Sequence, residues 1–120
     1  SRPQTDTGEL MADPRPKLLK LVALKRQKAE QSLAIVQARL RELAKELDTL
    51  QSEFSKADQA GDIQALMLAS RNGHAVRVLR EMDLKRSEIA ETRLHLHQAR
   101  EDLKMILNSE DQLNQMGVKS

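Results

Sequence analysis

From Lys17 onward the apolar residues of the chain recur at alternating intervals of three and four. One row reads Leu19, Arg26, Leu33, Leu40, Leu47 and Phe54; its companion reads Val22, Ala29, Val36, Leu43, Leu50 and Ala57. These are the a and d positions of successive heptads, the pattern of a helix that buries a narrow stripe against another helix. Only Arg26 breaks it. Before this run, Asp13 can cap a helix, and Pro14 or Pro16 suits a first turn, where no amide hydrogen is required. Residues 1–13 are polar and without periodicity, and read as a disordered N-terminal tail. Met11 is a candidate natural start.

The rhythm stops at Ala60-Gly61-Asp62, which reads as a C-cap glycine followed by a new N-cap. Ile63, Leu66, Met67 and Ala69 form a short apolar patch, and Asn72-Gly73 is a second breaker. A second seam follows: Ala75, Met82, Ile89, Leu96 and Leu103, partnered by Val78, Lys85, Thr92, Ala99, Ile106 and Leu113. Lys85 and Thr92 weaken it. The helix is expected to fray after Leu113 and stop before Gly117, leaving 117–120 as a C-terminal tail.

The expected fold is therefore all-α, a long antiparallel two-helix coiled-coil hairpin over 14–116 with a short helical tip. Helix 1 spans about 17–60, the tip 61–73 and helix 2 about 74–115. At 1.5 Å per residue each long helix would measure about 65 Å. A single unbroken helix from 62 to 115 is the alternative, since one glycine in a helix costs only about 1 kcal/mol. The seam is expected to consist chiefly of Leu33, Val36, Leu40, Leu43, Leu47, Leu50 and Phe54 against Met82, Ile89, Leu96, Leu103 and Ile106. Leu18, Leu21, Leu24, Leu84, Leu94, Met105 and Leu107 lie off it, so a partner or a second copy is expected to complete the burial.

Composition agrees. Leu, Ala, Arg, Glu and Lys supply 62 of 120 residues, and Phe54 is the only aromatic side chain. That argues against sheet-based cores, which draw on β-branched and aromatic residues. There is no Cys, hence no disulfide, thiolate metal site or cysteine nucleophile. No apolar run approaches the roughly 20 residues of a membrane helix, and the N-terminal residues lack a signal-peptide core. The expected location is cytoplasmic, free or peripheral to an inner-membrane assembly.

Charge is unevenly placed although the net value is only +2. Residues 15–28 hold Arg15, Lys17, Lys20, Lys25, Arg26 and Lys28 with no acid among them. Residues 29–60 carry four basic and six acidic side chains, and 61–120 carry nine of each. The basic stretch reads either as a docking end for an acidic surface or as a solvated face partly neutralised by Glu110 and Asp111. Arg86, Arg93 and Arg100 recur every seven residues. They could track phosphates, but flanking arginines more often cover a seam with their stems and pair across it, with Glu30 and Glu53 as candidate partners.

Catalytic chemistry finds no foothold. His95 and His97 point to different helix faces and cannot chelate together, and His74 stands apart. Glu101-Asp102 reads as surface. There is no P-loop, nucleophile elbow or glycine-rich turn. The expectation is a non-enzymatic protein without metal or cofactor. Missing aromatics argue against base stacking, although a basic helical arm gripping RNA backbone stays open, as does a self-associating four-helix bundle.

The segment KLLKLVALKRQKAEQSLAIVQARLRELAKELDTLQSEF resembles the first helix of the FliJ and YscO proteins of flagellar and injectisome type III export. Those proteins begin with a Leu-rich basic turn, continue as a heptad helix, break, and return as a second helix. The likeness covers about 17–115. It implies a coiled-coil stalk seated in the central hole of the hexameric export ATPase, comparable to the γ stalk of rotary ATP synthase, and contacting export-gate and chaperone proteins. Lys17, Leu18, Lys20, Leu21, Leu24, Lys25, Arg26 and Lys28 would be the residues that engage the ring.

Overall fold

The computed structural model describes residues 13–59, 67 and 73–119. They form two long helices, α1 (Arg15–Gln59) and α2 (His74–Lys119), with no strand among the described residues. The fold is an all-α antiparallel helical hairpin. Residues 1–12, the Ala57 side chain and most of the expected tip, including Ile63, Leu66 and Ala69, lie outside the described residues; Met67 is helical and exposed.

The start of α1 follows from its first residues. Asp13 Oδ1 accepts a hydrogen bond from the Arg15 amide at 3.0 Å, and the Leu18 amide donates to the Pro14 carbonyl at 3.0 Å. Asp13 thus satisfies an amide that the helix itself cannot, and Pro14 sits where no amide is needed. At the other break Gly73 has φ +72°, a left-handed backbone. Its carbonyl accepts from the Arg77 amide at 3.0 Å, so α2 begins directly after it. This conformation excludes the unbroken helix from 62 to 115.

The far end of α2 departs from expectation. The helix continues through Gly117 to Lys119. Arg15 Nη1 donates to the Met116 carbonyl at 2.7 Å, satisfying an acceptor near the end of the helix. Against that tie a glycine in the final turn, at a cost of about 1 kcal/mol, does not stop the helix.

The chain divides into two compact units, one of residues 1–32 with 100–120 and one of residues 33–99. Each contains a stretch of both helices. In residues 33–99 the inter-helix pairs Arg39–Glu88 (2.9 Å) and Glu46–Lys85 (2.8 Å) run in opposite numerical directions, so pairing there is antiparallel. Leu43 is fully buried and packs within the same unit as buried Met82, Ile89 and Leu96. Leu33, Val36, Leu40, Leu47, Leu50 and Phe54 are half-buried. Thr92 is also buried, and its hydroxyl donates to the Glu88 carbonyl one turn back at 2.6 Å. That bond removes the penalty of an unpaired hydroxyl in the seam.

In residues 1–32 with 100–120 the pairs Arg15–Met116 and Arg26–Glu110 show the same antiparallel sense. Leu19, Val22, Ala29, Leu103, Ile106 and Leu113 are half-buried, and no described residue of this unit is fully buried. Arg26, the interruption in the first seam, is accommodated by Glu110 at 3.1 Å and Glu30 at 3.2 Å.

The expected cross-seam pairing of the arginine stripe is not found among the described residues. Arg86 pairs with Asp83 on its own helix at 3.1 Å, and Glu30 pairs with Arg26. Arg26, Arg39 and Lys85 form inter-helix ion pairs, because the register places those cations opposite Glu110, Glu88 and Glu46.

Replacing Leu43 by Ala is expected to cost about 2–4 kcal/mol, the range for emptying a buried leucine site. Gly73→Ala is expected to cost about 1 kcal/mol through its left-handed backbone alone. Chemical denaturation followed by circular dichroism measures both.

Candidate partner-docking face

The first turns of α1 present two different surfaces. Leu19, Val22, Arg26 and Ala29 step along the seam. Lys17, Leu21, Leu24 and Lys28 step by four, three and four along another face, so Leu21 and Leu24 are neighbours with a lysine at each end. Leu18 and Lys25 flank Leu21 at three and four residues, and Lys20 lies one turn from Leu24. The three leucines are 42%, 49% and 59% exposed. Lys17, Lys20, Lys25 and Lys28 are all exposed, and none forms an ion pair with a described residue.

Two basic residues of the same stretch stand apart. Arg26 faces the seam and is held by Glu110 and Glu30. Arg15 is held by Asp13, with Nη2 2.6 Å from Oδ2, and by the Met116 carbonyl. Both guanidiniums are thus engaged within the chain, and the exposed candidate face consists of four lysines and three leucines. The same unit exposes Met105, Leu107 and Met116 on α2. Met116 escaped the sequence reading because the helix was expected to fray before it.

The lysine stems extend over apolar surface while their ammonium groups stay in water. Such a face can cover a partner's apolar patch and meet carboxylates around it. Among the described residues no group of three or more His, Cys, Asp or Glu side chains is placed to hold a metal ion. No described helix is long and apolar enough to cross a membrane.

A shallow groove in residues 33–99 is lined by Glu46, Thr49, Leu50, Glu53, Glu81 and Lys85. Lys85 Nζ stands 2.8 Å from Glu46 Oε2, which is shielded from solvent. Lys85 holds the Glu46 carboxyl below its ordinary value of 4.5, more than burial raises it, and Arg39 adds to the lowering. Glu46 in turn raises Lys85 above 10.5. Asp13 is likewise lowered by its side-chain and backbone hydrogen bonds with Arg15.

No protein-family model, curated protein or solved structure matches the chain.

The pH dependence follows in sign. Glu46, with its folded-state value below 4.5, contributes stability that is complete above that value and lost as pH falls through the folded one. Lys85 contributes stability complete below 10.5 and lost as pH rises through its raised value. The pair therefore acts in full across the neutral range. Thermal melts between pH 5 and pH 3 are expected to show a shallower fall for Glu46→Gln than for the parent chain.

Proposed function

We propose that the protein is a non-enzymatic coiled-coil adaptor that docks through Lys17, Leu18, Lys20, Leu21, Leu24, Lys25 and Lys28 onto an acidic protein surface. The observation that carries this reading is the coincidence on one helix face of three exposed leucines and four lysines without ion-pair partners among the described residues. A face used only for solubility has no need of the leucines; a face used only for internal packing has no need of the lysines. Together they match the anatomy of an interface, an apolar centre with a charged rim.

The resemblance to FliJ and YscO names the partner in this proposal. The chain would be a stalk of a bacterial type III export apparatus, engaging the hexameric export ATPase together with export chaperones and export-gate components. The ATPase would perform the hydrolysis. The hairpin would act by binding some conformations of the ring more tightly than others, which is all a ligand needs to shift a conformational equilibrium.

Self-association through the same face has a physical argument against it: a second copy would bring lysines against lysines. Binding of RNA would rest on the lysines alone, without stacking side chains.

The test is titration of purified export ATPase with the full chain and with the combined variant Lys17→Glu, Lys20→Glu, Lys25→Glu, Lys28→Glu. Reversal of four rim charges is expected to weaken binding at least tenfold and to reduce its salt dependence. Leu21→Ser with Leu24→Ser is expected to weaken binding while preserving the salt dependence. Equal affinity of all three proteins, or no affinity for the ATPase, would overturn the proposal.

A further inference from the structure

Lys85 occupies a seam position that a leucine would fill better, and the structure gives it a distinctive setting. It is the only cation among the described residues lining a groove that also holds Glu46, Glu53 and Glu81. Beside it Arg39 of α1 meets Glu88 of α2 at 2.9 Å. The inter-helix charges of this region thus alternate in sign between the helices. Thr92, the other polar residue in the α2 seam, is satisfied within its own helix and makes no demand on α1.

Apolar heptads fix which face of a helix is buried and leave its axial position nearly degenerate, because a slip of seven residues restores the same seam. The charges remove that degeneracy. A slip of one heptad in one direction brings Lys85 from Glu46 to the level of Arg39, cation against cation. The opposite slip brings Lys85 to Glu53 but carries Arg39 from Glu88 to His95. A parallel pairing of α2 with a second α2 would set Lys85 against Lys85. Only the observed register satisfies both pairs.

We propose that Lys85, seated among Glu46, Glu53 and Glu81, is the register key of residues 33–99: it selects the antiparallel partner helix and its axial alignment at a cost in stability. A buried polar residue at a single seam position has this role in other coiled coils. The inference is independent of what docks on the lysine–leucine face.

The chain has no cysteine, so two introduced cysteines can be labelled without ambiguity. Ala38 and Ser87 are exposed, one on each helix. Spin labels at Ala38→Cys and Ser87→Cys, read by pulsed electron paramagnetic resonance, report the register, since a one-heptad slip displaces them along the axis by about 10 Å. The unaltered seam is expected to give a single distance. Lys85→Leu, which keeps helix propensity and adds apolar surface, is expected to melt at a higher temperature. It should also show a second distance population, or a dimer by light scattering. The charge exchange Glu46→Lys with Lys85→Glu is expected to restore the single distance. A single unchanged distance and unchanged mass in Lys85→Leu would overturn the proposal, as would a mixed population in the charge-exchanged variant.

Discussion

Everything in this protein rests on one narrow strip of contact between two helices. An isolated helix gains little over water from its own hydrogen bonds, and most helical stability in proteins comes from burying an apolar face. Among the described apolar residues only Leu43, Met82, Ile89 and Leu96 are buried, and Leu43 alone is buried completely. With so little core, a polar residue in the seam cannot be carried unpaired, since an unsatisfied buried group costs about 1–3 kcal/mol. Each interruption is met. Thr92 turns back to a carbonyl, Lys85 finds Glu46, and Arg26 finds Glu110.

Burial is distributed in a way that bears on function. All of the buried described residues lie in 33–99, and residues 1–32 with 100–120 have a seam that is only half-covered. Local opening is easiest where few apolar groups are buried. The unit with the thinner core is also the one that exposes Leu18, Leu21 and Leu24. A partner that covered those leucines would add to this unit the burial it lacks, so docking and local ordering would be coupled there.

The parts of the fold that were legible in the sequence are those governed by local rules. The three–four stepping of Leu19, Val22, Leu33 and Val36 marks a helix and its buried face. Asp13 and Pro14 mark a helix start, and Gly73 marks the break before α2. Register was not legible, because heptads repeat and the apolar pattern is satisfied at several alignments. Without register, ion pairs cannot be assigned: Arg86 was expected to reach across to α1 and instead meets Asp83. The end of α2 was misjudged for a related reason, since the contact that extends it, from Arg15 to the Met116 carbonyl, spans 101 residues of sequence. The basic leucine-rich stretch was visible as composition. The structure separates its members, leaving four lysines exposed and committing Arg15 and Arg26 to neighbours.

That separation constrains the occupant of the face. Had Arg26 and Arg15 been exposed too, the stretch would have read as a general polyanion binder, since arginine forks grip phosphate through paired donors. Lysines bracketing leucines offer point charges on flexible stems around an apolar centre, and they carry no directional demand on an anion. Carboxylates scattered around an apolar patch satisfy such a face, whereas a regular phosphate backbone leaves its leucines in water. The chemistry of the face, its placement on the thinly packed unit and the like-charge cost of self-docking are what favour the proposed acidic protein as its occupant over a polyanion or a second copy.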